Sequence, residues 1–238
     1  MTPPADPARD TNHRFPGEIM SHGVWLYYRF PFSYRDVQEL LFARGIDVTH
    51  EAIRQWCLQG GQAYAHRLKR RRAQPGDKWH VDAVFLTMNG KRHDLWRAVD
   101  QEDNVLDILV QRRRHKPAAT KCFRTLRKGL QDVPRVIMTE KVKSYGAAKR
   151  ESLPGVAHRQ SRYLNTRCEH SHRPTRQRAY RMQGCKAAGQ AQRFLSAYGP
   201  MAQHCRPRRH RLSAPEYREE MRQRFARWAE ITGTKRAA

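Results

Sequence analysis

Residues 78–111, KWHVDAVFLTMNGKRHDLWRAVDQEDNVLDILVQ, decide the fold. Three runs rich in Val, Leu, Trp and Phe are cut apart by Asn89-Gly90 and by Gln101-Glu102-Asp103. Asn-Gly between such runs signals a tight hairpin, because both central residues of that turn need a positive φ. The spacing predicts a three-stranded antiparallel meander. In the first strand Trp79, Val81 and Ala83 alternate onto one face, which sends His80 and Asp82 to the other.

Toward the C-terminus, KPAATKCFRTLRKGL sets Ala119, Cys122, Phe123, Leu126 and Leu130 on one helical stripe. RVIMT, residues 135–139, reads as a buried strand that runs straight into Glu140 and Lys141. A helical segment, SYGAAKRESL, and a short strand around VAHRQ follow. If the polar stretch 164–182 is helical, Asn165, Glu169, His172 and Arg176 line one face, at spacings of four, three and four. Three strands, helix, strand, helix, strand, helix is the order of an α/β layered domain, assigned to residues 75–206. Residues 207–238 read as a basic helical tail in which RPRRHRLSAPEY leads into SAPEYREEMRQRFARWAEI.

Toward the N-terminus, HRLKRRRAQPGDKW marks a domain boundary: like charges resist compaction and Pro75-Gly76 makes a turn. The run is expected to serve as linker and, through Arg70 and Arg71, as a phosphate contact. Before it, residues 19–74 read as helical. SYRDVQELLFARG carries Val37, Leu40, Leu41 and Phe42 near helical spacing and stops at Gly45. Thr49 caps HEAIRQWCLQ, whose Ile53, Trp56 and Cys57 share a face. Two short helices around a tight turn describe a helix-turn-helix. Glu51, Arg54 and Gln55 lie on its outer face, where Arg54 and Gln55 would read bases or hold phosphates; an ordinary helical hairpin with a solvated face shares this pattern. Residues 1–18, rich in Pro, Asp and Arg, read as a disordered lead.

The 238 residues hold 47 Lys and Arg against 22 Asp and Glu, a formal charge of +25. That excess points to a polyanionic partner, nucleic acid first. No apolar run approaches the roughly 20 residues of a membrane span, and the N-terminus has no secretory pattern. Five widely spaced cysteines without a C-x-x-C pair suit reduced thiols in the cytoplasm. His204, Cys205 and His210 match no common zinc-ligand spacing.

Three carboxylates stand where a simple core needs none: Asp82 inside a strand, Glu140 at a strand tip and Glu169 in the polar helix. Taken singly, each fits a solvent-face, loop or wet-helix position. Brought together they would repel unless a cation joined them. Two magnesium ions, roughly 3.5–4 Å apart, would join them and activate an oxygen nucleophile for in-line attack on phosphorus.

Three blocks carry a resemblance over residues 16–230: KWHVDAVFLTMNGKRHDLWRAVDQEDNVLDILVQRRR, RVIMTEKVKSYGAAKRE and HRQSRYLNTRCEHSHRPTRQR. In that order they closely resemble the DDE-type transposases of bacterial insertion sequences, in particular the family named after insertion sequence six. The resemblance implies an RNase H-like catalytic core behind a helix-turn-helix that binds terminal inverted repeats. It implies Asp82, Glu140 and Glu169 as catalytic residues and ligands of Mg2+, with Mn2+ as a substitute. His172 and Arg176 match polar positions that contact DNA or the scissile phosphate, and Lys141 would approach a DNA phosphate. The implied partners are double-stranded DNA, as element ends and target, and further copies in a dimer or larger assembly. Neither a membrane nor a small-molecule substrate is implied; the compartment is the bacterial cytoplasm, at the nucleoid. Two positions depart from the pattern: Glu140 stands where an aspartate is expected, and Ala83 where an acidic residue usually follows the first aspartate. The added methylene carries the carboxylate outward by roughly 1.5 Å, enough to slow catalysis. A rival expectation is therefore a catalytically impaired copy that acts as a DNA-binding protein. An RNA-directed nuclease fits the core but not the helix-turn-helix.

Overall fold

A computed structural model describes residues 15–72, 74–130, 133–161, 165–182 and 185–234. They form two units: Ala73–Ser196, and the chain through Arg72 together with everything from Ala197 onward.

The Ala73–Ser196 unit is built on the meander. β1 (Lys78–Met88), β2 (Lys91–Asp100) and β3 (Val105–Gln111) pair antiparallel, with Asn89 at φ 48° and Gly90 at φ 71° in the first turn. β4 (Val136–Thr139) joins β1 in parallel and β5 (Ala157–Gln160) joins β4 in parallel, giving the order β3-β2-β1-β4-β5. Parallel neighbours need crossovers, and helices supply them. α4 (Lys116–Leu130) precedes β4, and α5 (Lys143–Ser152) links β4 to β5. α6 (Thr166–Arg181) and α7 (Ala188–Cys205) follow. This is the RNase H-like arrangement that the resemblance implies.

The core has two sides. Trp79, Val81, Ala83, Trp96 and Ala98 meet Ala119, Cys122, Phe123 and Leu126 of α4, with Tyr145 and Ala148 of α5. This is the expected α4 stripe, with Leu130 only partly buried at its end. Each large side chain buried here contributes about 1.5–3 kcal/mol. On the other side Val84, Met88, Leu95, Ile108 and Val110 meet Ala191 and Leu195 of α7. Over the adjoining rows lies α6: Asn165 Nδ2 donates to the Val81 carbonyl, and Arg97 donates to the Ser171 carbonyl and to Thr175 Oγ1. With both faces covered, His80 and Asp82 are buried at 5% and 2% exposure, so a solvent-face position for Asp82 is ruled out.

The second unit holds α1 (Gly17–Arg29), α2 (Tyr34–Phe42), α3 (His50–Arg70), the end of α7 and α8 (Ala214–Thr232). Ser33 and Asp36 form a capping box at α2, and Gly45 at φ 75° turns the chain after it. Thr49 accepts from the Ala52 N–H and starts α3. The helix-turn-helix pair forms, with two corrections. Phe42 is 68% exposed, since only Val37 and Leu41 of α2 are buried. α3 does not end at Gln59 but runs for 21 residues to Arg70, so the first part of the expected basic linker, His66 to Arg70, is helical. A Cβ on Gly61 would stand 2.7 Å from Tyr28 Oη, so this glycine serves close packing of α1 on α3 and not a helix stop.

Trp228 of α8 packs edge-on against Trp25 and Tyr64, with ring centroids 5.5 and 5.4 Å apart. The expected tail is therefore part of this unit's core, and the division by packing falls within α7. Of the expected disordered lead, residues 1–14 lie outside the described residues, and Gly17 already begins α1.

Candidate active site

β1 and β4 lie side by side in parallel, with Val81 opposite Thr139 as the last paired rung. The next residue on each strand is a carboxylate, Asp82 and Glu140. Their side chains are 3% and 29% exposed. Strand register places these two residues side by side, one rung beyond the last paired positions.

Arg114, three residues beyond β3, lies across them. Its Nη2 is 3.3 Å from Asp82 Oδ1 and donates to the Ala83 carbonyl; its Nη1 is 3.5 Å from Glu140 Oε2. One guanidinium thus faces both carboxylates. Beneath Asp82, His172 has no exposed surface, and its Nε2 is 3.5 Å from Asp82 Oδ2, close but beyond a good hydrogen bond. Burial holds the His172 pKa below its ordinary value, against the pull of Asp82 and helped by the Arg97 charge. The imidazole is therefore neutral at neutral pH. This corrects the expected DNA contact: a side chain without accessible surface meets no DNA, and His172 instead packs under Asp82.

Glu169 lies in the exposed first turn of α6. The buried residues of this helix region are Asn165, Cys168, His172, Thr175 and Arg178. Glu169 and Arg176 each follow a buried residue by four positions, about 40° further round, and are exposed. The expected four-residue face is thus split between core and solvent. Among the described residues no three His, Cys, Asp or Glu side chains lie close enough to hold a metal ion. Asp82 and Glu140 are brought together; Glu169 is not drawn into a cluster with them.

Sequence reasoning missed Arg114 and the buried Arg97. Arg114 lay in the run Arg112-Arg113-Arg114, where it reads as one more solvated charge. Arg97 is paired in register with Asp82, a signal that needs strand register to be seen.

Apart from His172, the expected nucleic-acid contacts are exposed or partly exposed. On α3, Glu51 accepts from Arg54 Nη2 at 2.6 Å and from Gln55 Nε2 at 3.0 Å; these hydrogen bonds pull its pKa down to about 2. Arg54 and Gln55 are thus pre-ordered by a shared carboxylate. Arg70 is exposed, and Arg71 pairs with Glu230 at 2.7 Å. Lys141 is exposed beside Glu140. A further basic face lies on α4, where Lys116, Lys121, Arg124 and Lys128 line a groove of about 440 Å3 with Glu151. Glu151 pairs with Lys116 at 3.2 Å and with Arg124 at 2.8 Å.

His204 is engaged elsewhere, its Nε2 3.1 Å from the Arg224 carbonyl and its ring stacked on Trp228. The five cysteines carry free thiols. None of the described helices is long and apolar enough to cross a membrane.

Residues 76–207 match the DDE domain family model, more than half of the chain. The transposase for insertion sequence element IS257 in transposon Tn4003 of Staphylococcus aureus is 28% identical over 179 residues, covering 74% of this chain and 80% of the relative. The transposase for insertion sequence-like element IS431mec of S. aureus strain N315 matches with the same identity and coverage. Among solved structures, the Mos1 transposase catalytic domain with raltegravir and magnesium aligns with TM-score 0.43 at 14% identity, over 74% of this chain and 92% of that one. The catalytic core of BIV integrase aligns with TM-score 0.39 at 12% identity, over 64% and 99%. The family match runs from the start of β1 past the end of α7, taking in Asp82, Glu140 and Glu169. The chain belongs to the DDE-type transposases of the insertion-sequence-six family, and it is by class a polynucleotidyl transferase.

Proposed function

We propose that this protein binds the terminal inverted repeats of its insertion sequence, cleaves a strand to expose a 3′ hydroxyl, and joins that hydroxyl to target DNA. The observation that carries the reading is the convergence of Asp82, inside β1, and Glu140, just past the end of β4, under one guanidinium.

The donor set fits a hard divalent cation. Magnesium takes oxygen ligands and is commonly held by one or two carboxylates, with water and substrate phosphate completing its shell. Asp82 and Glu140 would hold it, and Glu169, on the exposed first turn of α6, is the third carboxylate the family resemblance implies; Mn2+ has the same ligand preference. Bound there, the metal supplies charge neutralisation at the phosphoryl oxygens and an activated oxygen nucleophile. The chain's own residues do the rest. Asp82 is positioned by β1 and by the buried His172 packed beneath it. Lys141 and Arg176 are exposed cations suited to orienting the DNA backbone. Arg54 and Gln55 are the base-reading candidates on α3; Arg70, Arg71 and the basic face of α4 are phosphate contacts. Assembly on two DNA ends calls for at least a dimer.

A second reading has a specific observation behind it. Glu140 carries its carboxylate one methylene further out than an aspartate, and Glu169 stands apart from the pair. Such a protein would keep its DNA affinity and react slowly.

The test uses the DNA that flanks the reading frame. Duplexes ending in its short inverted repeats should be retarded by the protein in a gel with or without chelator, and nicked at the element end only with Mg2+ or Mn2+. Nicking in chelator would overturn the catalytic reading; retardation without any nicking in either metal would leave the binding protein as the correct one.

A further inference from the structure

We propose that Arg114 is the positioning residue of this site: its guanidinium sets the spacing of Asp82 and Glu140 and competes with a divalent cation for the same two carboxylates. The inference rests on reading Asp82 and Glu140 as metal ligands, and adds a residue outside the three carboxylates.

The geometry is that of a shared counter-ion. Nη2 serves Asp82 and the Ala83 carbonyl while Nη1 serves Glu140, so a single planar group spans both carboxylates. The contacts of 3.3 and 3.5 Å exceed the 2.7–2.9 Å of a well-formed charge-assisted pair, so the bridge is loose. Arg114 Nε is buried and has no acceptor. A divalent cation satisfies the same oxygens more fully, and both cations cannot hold them at once.

Glu140 fits this arrangement in a way an aspartate would not. Shortened by one methylene, roughly 1.5 Å, its carboxylate would lose reach toward Nη1. The departure at position 140 and the guanidinium at 114 are thus matched features of this chain. Arg114 also reaches the surface: its side chain is 21% exposed. Once released from the carboxylates, its fork of donors suits a phosphate of bound DNA.

The experiment measures Mn2+ binding to the full chain without DNA, by electron paramagnetic resonance of the free ion. It compares the wild type with Arg114→Gln, Arg114→Lys, Asp82→Asn and Glu140→Gln, with thermal melts to establish folding. Arg114→Gln should bind Mn2+ about tenfold more tightly, the effect of no longer displacing two partly buried ion pairs. Arg114→Lys keeps the charge but loses the fork, and should fall between the two. If Arg114→Gln does not fold, the lysine variant carries the comparison. Unchanged or weaker binding in the folded variant overturns the role of Arg114. Asp82→Asn separates the two levels: if it binds Mn2+ as the wild type does, the ligand reading itself fails, whereas loss of binding there with no gain in Arg114→Gln defeats this inference alone.

Discussion

Replacing Glu140 by Asp should cost little stability and speed the reaction. The Glu140 carboxylate is 3.5 Å from Arg114 Nη1. Drawing it back by one methylene takes that separation to about 5 Å, which at an effective dielectric of 20 lowers the attraction from about 4.7 to about 3.3 kcal/mol. Both side chains are partly exposed, so the net loss is under about 1 kcal/mol and the melting temperature falls by a few degrees at most. The gain is geometric. A displacement near 1 Å in a catalytic group can cost on the order of a hundredfold, about 2.7 kcal/mol of barrier. Placed where the family has aspartate, the carboxylate regains that distance, and release of Arg114 acts in the same direction. The assay is single-turnover joining of a labelled duplex with a free 3′ hydroxyl at the element end to target DNA in Mg2+. Glu140→Asp should join at a rate up to about a hundredfold higher than the wild type. Equal or slower joining by a folded variant refutes the reasoning.

Three further outcomes follow from other parts of the molecule. If the α4 face meets DNA backbone, Lys121→Gln with Lys128→Gln, which leaves the Arg124–Glu151 pair intact, should flatten the log–log salt dependence of non-specific duplex binding by roughly 2; an unchanged slope removes that face from the interface. Gly61→Ala should lower the melting temperature, although alanine usually stabilises a helix interior by up to about 1 kcal/mol, because its Cβ would press on buried Tyr28; a rise would show that Tyr28 moves freely. Burial and the Arg224 charge hold His204 down to about 4 from 6.5. The unfolded chain then binds more protons between those values, so stability is full above pH 6.5 and falls as pH drops toward 4, by roughly 3 kcal/mol. Urea titrations at several pH values should show a smaller fall in His204→Gln, and an equal fall would place the proton uptake elsewhere.

The sheet was legible because its signals are local. Asn89-Gly90 fixes the first turn, the alternation of Trp79, Val81 and Ala83 fixes a face, and the α4 stripe from Ala119 to Leu126 fixes what covers it. Asp82 and Glu140 were legible for the same reason: a polar residue interrupting or ending an apolar run is visible in one dimension. What was hidden depends on pairing across the sheet. His80, Asp82 and Arg97 look like a wet face until α6 is known to close over them with Ser171 and Thr175 as hydrogen-bond partners. Arg114 is one of three consecutive arginines, and only the return of the chain from β3 singles it out. The length of α3 was not legible because the glycines that follow HEAIRQWCLQ are poor helix formers, whereas in the fold Gly61 makes room for Tyr28 inside a continuing helix. Helical spacing put Asn165, Glu169, His172 and Arg176 on one face, but four residues advance a helix by about 40° beyond a full turn, so Asn165 and His172 are buried while Glu169 and Arg176 are exposed.

The most direct test of the central claim is strand joining by Asp82→Asn made in the Glu140→Asp background, with element-end DNA retardation measured on the same preparation. Loss of joining to background, with DNA retention unchanged and with the same loss when chelator is added to the Asp82-containing protein, is the predicted result. Joining that persists in Asp82→Asn, or in chelator, would contradict metal-dependent phosphoryl transfer at this strand edge.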